Sequence, residues 1–266
     1  MLSYQPESQS FSVSLKTEAL FVVVLVNIDM VVSEKKQCQV CRLGLVSFPD
    51  VMLYEHTLLR LHHERKAGDT LLILEHPPTV TLGKFGDAKN VLVSQEELAH
   101  RGIAYFSSDR GGDATFNCPG QLVIHPIINV RQIGPRNYID CMQEMAIDVC
   151  RSYGVPAGGS SEHPGVWVSD KQIAAIGLRM RQSISTHGLS LNVNPDLAAF
   201  NVINLCGIEG CEATSIEAEL EHTISTAEVL PKVEQSFAEI FNFDLNYITQ
   251  SQLEQVCSIL AQQPLE

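Results

Sequence analysis

From residue 42 onward, apolar positions spaced three to four apart give way repeatedly to alternating ones, with short connections between, the pattern of an α/β domain. The stretch "LGLVSFPDVMLYEHTLLRLHHERKAGD" predicts a helix with Ser47 as its cap, Pro49 in its first turn and Gly68 as its stop. "TLLILEHPPTVTLG" (70 to 83) predicts a buried strand, a break forced by the prolines and a second short strand. "SQEELAHRG" carries Ser94 and Glu97 at capping-box spacing and closes on Gly102, leading into the strand "IAYFSS". Between Asn137 and Gly154, Ile139, Met142, Ala146, Val149 and Tyr153 recur at helical spacing, so Cys141 and Cys150 read as packing residues. "GVWVSDKQIAAIGL" predicts a hairpin turning at Ser169 and Asp170; alternation then puts Lys171, Ile173 and Ala175 on one face and Gln172, Ala174 and Ile176 on the other. "STAEVLPKVEQSFAEIFNF" predicts a helix capped by Ser225 and Glu228, with Val229, Val233, Phe237 and Ile240 as its apolar stripe.

Composition narrows the class. A chain of 266 residues that is 45% hydrophobic and 18% charged can build a full core, and one domain over 37–266 is expected, preceded by an extension of unknown role over 1–36. The apolar run at 19–32 is interrupted by Asn27 and Asp29 and is shorter than the roughly 20 residues that span a bilayer, so no membrane role is expected. Acidic residues outnumber basic ones 31 to 18, and the net charge of −13 repels phosphate backbones, so no nucleic-acid partner is expected. The eight cysteines are scattered rather than densely spaced, which fits a reducing, cytoplasmic setting. Cys38 and Cys41 form a lone CxxC without a second pair or a histidine at ligand spacing, so no metal is expected there. His56, His62 and His63 read as rim histidines of the first helix.

Three stretches carry candidate chemistry. "SSDRGGDATFNCPGQLVIHP" (107 to 126) pairs glycines that let backbone approach a ligand, yet it lacks the lysine of a phosphate loop and the GxGxxG of a dinucleotide fold, and by itself it also fits a hairpin turn. "STHGLSLNVN" places His187 and Gly188 ahead of an alternating strand. In "NVINLCGIEG", Cys206 precedes Gly207; the residue types allow either a nucleophile on a bend, with backbone N–H groups near Gly207 receiving an oxyanion, or a buried small hydrophobe.

Taken together, "LLILEHPPTVTLGKFG", "RGGDATFNCPGQLVIHP", "GVWVSDKQIAAIGLRMRQSISTHGLSLNVN" and "VINLCGIEG" occur in the order of the motifs of the octanoyltransferases of lipoate biosynthesis, which the chain resembles from about residue 40 to 245. That resemblance implies an α/β (α+β) fold shared with biotin and lipoate protein ligases, a mixed sheet flanked by helices. It implies transfer of an octanoyl group from octanoyl-acyl carrier protein, through a thioester on Cys206, to a lysine of lipoyl domains of 2-oxoacid dehydrogenases and of the glycine cleavage H protein. No cofactor is implied, since exchanging one thioester for another needs neither ATP nor a metal. Arg110, Gly111, Gly112, Asp113, Ala114, Thr115, Phe116 and Asn117, then Ala175, Ile176 and Gly177, then Gly188, Leu189 and Ser190, are implied to bind the acyl chain.

Three positions depart from the family pattern. The lysine that partners the cysteine stands immediately before the Ile-Ala pair, where this chain has Gln172, with Lys171 one place earlier; Lys171 is the expected catalytic partner if the hairpin turn is displaced or its first arm bulges, with His187 as the other candidate. Asn117 and Cys118 replace a His-Gly pair, and Leu205 stands where a proline is usual. An alternative reading is a catalytically impaired homologue that binds acyl groups or lipoyl domains without turnover. An ATP-dependent ligase is a third, disfavoured by the missing nucleotide signature. Arg60, Arg65, Lys66, Lys84, Arg179 and Arg181 are the candidates for a basic patch facing an acidic carrier.

Overall fold

The structure, a computed structural model, describes residues 35–160 and 163–261. The apolar run at 19–32 and most of the predicted extension lie outside the described residues. In chain order the elements are β1 (Lys36–Leu45), α1 (Phe48–His63), β2 (Thr70–Glu75), β3 (Thr79–Leu82), α2 (Gln95–His100), β4 (Ala104–Ser107), β5 (Ala114–Asn117), β6 (Gln121–Ile127) and α3 (Pro135–Ser152). There follow β7 (Gly158–Gly159), β8 (Val166–Val168), β9 (Lys171–Arg181), β10 (Ile184–Asn192), α4 (Ile216–Leu220), α5 (Thr226–Phe241), β11 (Phe243–Ile248) and α6 (Gln250–Ala261).

Eight strands form one mixed sheet in the order β11-β1-β2-β6-β10-β9-β8-β7, and β4-β3-β5 form a second, three-stranded sheet. The pairs β1–β11 and β1–β2 are parallel, while β2–β6, β6–β10 and β10–β9 are antiparallel. Helices α3 and α5 cover one face, where Met142, Met145 and Val149 meet Val229, Val233 and Phe237. On the other face Val51, Leu58 and Leu59 of α1 pack with Leu253 of α6. Each such side chain contributes about 1.5–3 kcal/mol by leaving water, which is why the central strand β6 is buried at every position. A third cluster, including Val80, Phe116, Phe200 and Leu205, joins the small sheet to the segment that carries Cys206.

The predicted caps hold: Ser47, Ser94 and Ser225 each accept a hydrogen bond from the first turn of their helix, and Ser225 and Glu228 close a reciprocal capping box. Ser225→Ala is expected to cost about 1 kcal/mol of stability, read as a lower urea midpoint at unchanged slope.

Several expectations are corrected. Helix α1 ends at His63 rather than running on to Gly68, because Arg65 turns left-handed (φ 58°) and the Lys66 N–H returns to the Leu61 carbonyl at 2.8 Å. Ile139 is exposed, and the buried stripe of α3 is carried instead by Tyr138, Met142, Met145 and Val149. Strand β1 escaped the reading of the pattern because a register irregularity between Arg42 and Gly44 breaks its alternation. Its two cysteines point to opposite faces, Cys38 into one core and Cys41 into the other, so they cannot share a ligand.

Candidate active site

Cys206 lies on a tight turn, Leu205–Gly207, and is itself left-handed at φ 54°, ψ 23°. A non-glycine residue there carries strain of order 1–2 kcal/mol, and the conformation leaves the thiol half-buried at a cavity wall. The Gly207 N–H donates to the Asn204 carbonyl at 3.0 Å and the Ile208 N–H to the Leu205 carbonyl at 2.9 Å. The donors expected near Gly207 to receive an oxyanion are therefore occupied by the turn itself. Gln172 Nε2, 3.3 Å from Cys206 Sγ, is instead the N–H donor facing the sulfur.

Gln172 takes that place because its backbone is clamped. Its N–H donates to the Glu212 carbonyl and its carbonyl accepts from the Thr214 N–H, both at 2.9 Å, while a register shift between Val166 and Trp167 disturbs the β8–β9 pairing. As a result Gln172 borders the cavity together with Ala175, not with Ala174 and Ile176 as simple alternation predicts; Ala174 is buried in the main core and Ile176 packs against it. Lys171 turns to the surface, where its Nζ lies 3.0 Å from Glu212 Oε2. The displaced register thus does not bring Lys171 to the sulfur. His187 does not reach it either: its ring pairs with Glu55 and Asp109.

The cation that acts on Cys206 is Arg110. It is 7% exposed and binds the Thr81 hydroxyl and carbonyl and the Gly111 and Asp113 carbonyls, which fixes the RGG turn against β3. Burial lowers its own pKa to about 10, so it stays charged. Burial raises the Cys206 pKa, the Gln172 amide and the Arg110 charge pull it back, and the Asp113 carboxylate adds to the rise; the net shift is upward. At rest the sulfur is a thiol. An ammonium in place of the amide would lower a neighbouring pKa by roughly one to three units. Gln172→Lys is expected to speed alkylation of Cys206 by iodoacetamide at neutral pH about three- to thirtyfold, since each unit multiplies thiolate tenfold but weakens its nucleophilicity. An unchanged rate would mean that this position does not control the thiol.

Two adjoining cavities lead away from the sulfur. The nearer is bordered by Cys206, Gln172, Ala114, Phe116, Leu205 and Asn192 among others; the farther by Arg110, Asn117, Gly177, Gly188 and Leu189 among others. Thr115, Ala175 and Ser190 border both. Gly177 and Gly188 face each other across β9 and β10; a Cβ at Gly188 would lie 1.9 Å from the Ile124 carbonyl oxygen, which excludes a side chain there, and one at Gly177 would press on Arg110 Cδ at 3.0 Å. Gly111 and Gly112 shape the turn rather than the wall, the Gly111 N–H donating to the Leu178 carbonyl. Asp113 accepts from the Ala114 and Asp87 N–H groups.

Beneath the farther cavity lies a polar group the sequence reading passed over. Glu55, 1% exposed, sits 2.5 Å from His125 Nδ1 and accepts the His187 N–H at 3.2 Å. His187 Nε2 is 2.8 Å from Asp109, which also contacts Arg179, one of the candidate basic-patch residues. Burial would raise the Glu55 pKa, but the two histidines outweigh it and hold the group down at about 2. The available signal was a histidine, His125, inside a strand otherwise apolar enough to be buried on both faces.

The sequence profile of the lipoyl protein ligase A/B catalytic domain matches residues 49–238. The chain is 37% identical over 209 residues to the octanoyltransferase of Alkaliphilus metalliredigens, covering 77% of this chain and 96% of that one. It is 37% identical over 210 residues to a mitochondrial octanoyltransferase of Arabidopsis thaliana, covering 77% of this chain and 89% of the relative. Among solved structures, the putative lipoate protein ligase of Thermoplasma acidophilum with bound lipoic acid superposes with a TM-score of 0.68 at 17% identity, covering 84% of this chain and 94% of that one. On the matched profile and these relatives, the chain belongs to the lipoyl protein ligase A/B catalytic-domain family.

Proposed function

We propose that this protein is an acyltransferase that moves an octanoyl group from acyl carrier protein to a lysine of lipoyl domains through a thioester on Cys206, a step of protein lipoylation. The observation that carries this reading is the half-buried Cys206 on its strained turn, 3.3 Å from the Gln172 amide and at the wall of a cavity that adjoins the one bordered by Gly177 and Gly188. The octanoyltransferases among the relatives support the choice of acyl group and acceptor.

In the first step the Cys206 sulfur, as thiolate, attacks the donor thioester carbonyl. A new C–S bond forms to Cys206, the bond to the carrier sulfur breaks, and the departing carrier thiolate takes up the proton that Cys206 gave. The Gln172 amide donates to the sulfur while it is anionic, and the Arg110 charge favours that state over the resting thiol. In the second step a neutral lysine amine attacks the enzyme thioester, C–N replaces C–S, and the sulfur leaves as thiolate and recovers a proton. Exchange of thioesters is nearly isoenergetic and amide formation from a thioester runs downhill, so the route is self-sufficient. Arg110, Gly111 and Gly112 form the turn that shapes the slot, and Thr115, Ala175, Gly177, Gly188 and Ser190 form its walls. The catalytic work falls to Cys206 with Gln172 and Arg110 as its partners, and Lys171 has no part in it. Mixing the protein with octanoyl-acyl carrier protein is expected to add one octanoyl mass, labile to hydroxylamine. Absence of that adduct, where an octanoyltransferase relative is loaded, would refute the reading.

A further inference from the structure

Amide formation at Cys206 leaves a proton to be placed. A lysine amine that bonds to the thioester carbon becomes a cationic nitrogen, and it must shed a proton before the amide is stable. Gln172, which faces the sulfur, is an amide and offers no basic nitrogen. Arg110 stays charged, Lys171 is held at the surface by Glu212, and His187 is engaged by Glu55 and Asp109. Asp113 is differently placed. Its carboxylate lies against the cysteine turn: a Cβ on Gly207 would be 3.0 Å from Asp113 Oδ2, so the left-handed glycine (φ 77°) that follows Cys206 is what admits the carboxylate. The Ala114 N–H fixes Oδ1 at 2.6 Å and the Asp87 N–H fixes Oδ2 at 3.2 Å, which leaves each oxygen a further lone pair. The turn is pinned as well, since the Asn90 carbonyl accepts the Asn204 N–H at 2.8 Å and the Asn204 carbonyl accepts the Gly207 N–H at 3.0 Å. Asp113 is half-buried and borders neither cavity, so an amine can meet it without entering the acyl slot. Of the charges acting on Cys206, Arg110 favours the thiolate and Asp113 opposes it. A carboxylate at this point therefore hinders the first step and suits the second, where the charge developing beside the sulfur is positive.

We propose that Asp113 is the proton acceptor of the amide-forming step, receiving the proton of the acceptor lysine as its nitrogen bonds to the thioester carbon. This rests on the acyl-transfer reading of Cys206. As C–N forms, one N–H proton passes to the carboxylate; the carbonyl re-forms, the C–S bond breaks with its electron pair on sulfur, and the proton moves from Asp113 to the thiolate. Thiol, carboxylate and octanoyl-lysine amide result. The experiment loads the full chain and its Asp113→Asn variant with octanoyl from acyl carrier protein, removes the donor, and follows discharge of the Cys206 adduct by intact mass. Loading of the variant is expected to stay within about threefold, while discharge to a saturating lipoyl domain falls about a hundredfold. Discharge to hydroxylamine, a weakly basic amine that can give its proton to water, is expected to stay within about threefold. If Asp113→Asn does not fold, Asp113→Ser, whose hydroxyl can still accept a turn N–H, serves with the same expectations. Undiminished discharge to the lipoyl domain overturns the proposal and leaves acyl transfer standing. Equal slowing of loading and of both discharges also overturns it, because the carboxylate then only holds the turn. No adduct on the unaltered protein overturns acyl transfer itself, and the role of Asp113 with it.

Discussion

Replacing Cys206 by alanine is expected to abolish the octanoyl adduct and to lower transfer to a lipoyl domain by at least about a thousandfold, because the two-step route through a covalent intermediate has no other sulfur to run on. The nearest alternative, Cys211, has a thiol pKa that burial and then the neighbouring Cys206 raise to about 11, so at neutral pH it is less ionised than an ordinary cysteine. The same position makes a second, opposite expectation for stability. At φ 54° any side chain is strained, so Cys206→Gly relieves about 1 kcal/mol and should raise the melting temperature while also destroying transfer. Strain held where it serves chemistry and released by the variant that kills it is the signature expected of a functional turn. Retention of more than a tenth of the transfer rate by Cys206→Ala would remove the thioester mechanism.

Glu55→Ala should cause the largest loss of stability, about 3–5 kcal/mol, out of the roughly 5–15 kcal/mol typical of a folded domain. Removing the carboxylate leaves the His125 ring without its anion and the His187 N–H without an acceptor, all beneath the slot. Glu55→Gln keeps an acceptor for the N–H and should cost less; urea titration of the two variants gives the comparison. The same groups set the pH response. Glu55 has a folded pKa below its ordinary 4.5, so its contribution is complete above that value and is lost as pH falls toward about 2. His76 is also depressed, from 6.5 to about 4: the unfolded chain takes up the proton first, so stability declines across that window as pH drops. His187 is shifted down as well, chiefly by burial, and adds in the same direction. An acid arm beginning near pH 6.5 and steepening below pH 4.5 is therefore expected. A stability curve flat between pH 7 and pH 5 would contradict the buried neutral histidine.

Much of this was readable in the residues. Ser225 with Glu228 three places on can satisfy each other's neighbouring N–H groups in a helix start, and the structure has that box. The four ordered motifs placed Cys206, the RGG turn and the paired glycines at one site, and all of them border or shape the same slot. Strand alternation already aimed Lys171 away from Gln172, and in the fold Lys171 is at the surface with Glu212 while Gln172 meets the sulfur. A displaced register does not bring Lys171 inward: the register does shift, but Gln172 is clamped between residues 212 and 214 and keeps the inward place.

What local pattern determined about this protein was its elements and their caps, since these follow from spacing of a few residues and from backbone preferences; around Cys206 it left a bend and a buried site both open. Tertiary structure alone decided which charge acts on that cysteine and what lies at the bottom of the slot. Arg110 and Cys206 are brought within electrostatic reach by the packing of the small sheet against the segment that carries the cysteine, and Glu55, His125 and His187 meet because a helix and two strands distant in sequence pack on one face. Interactions of that kind depend on burial and distance, and neither is a property of any short stretch of chain.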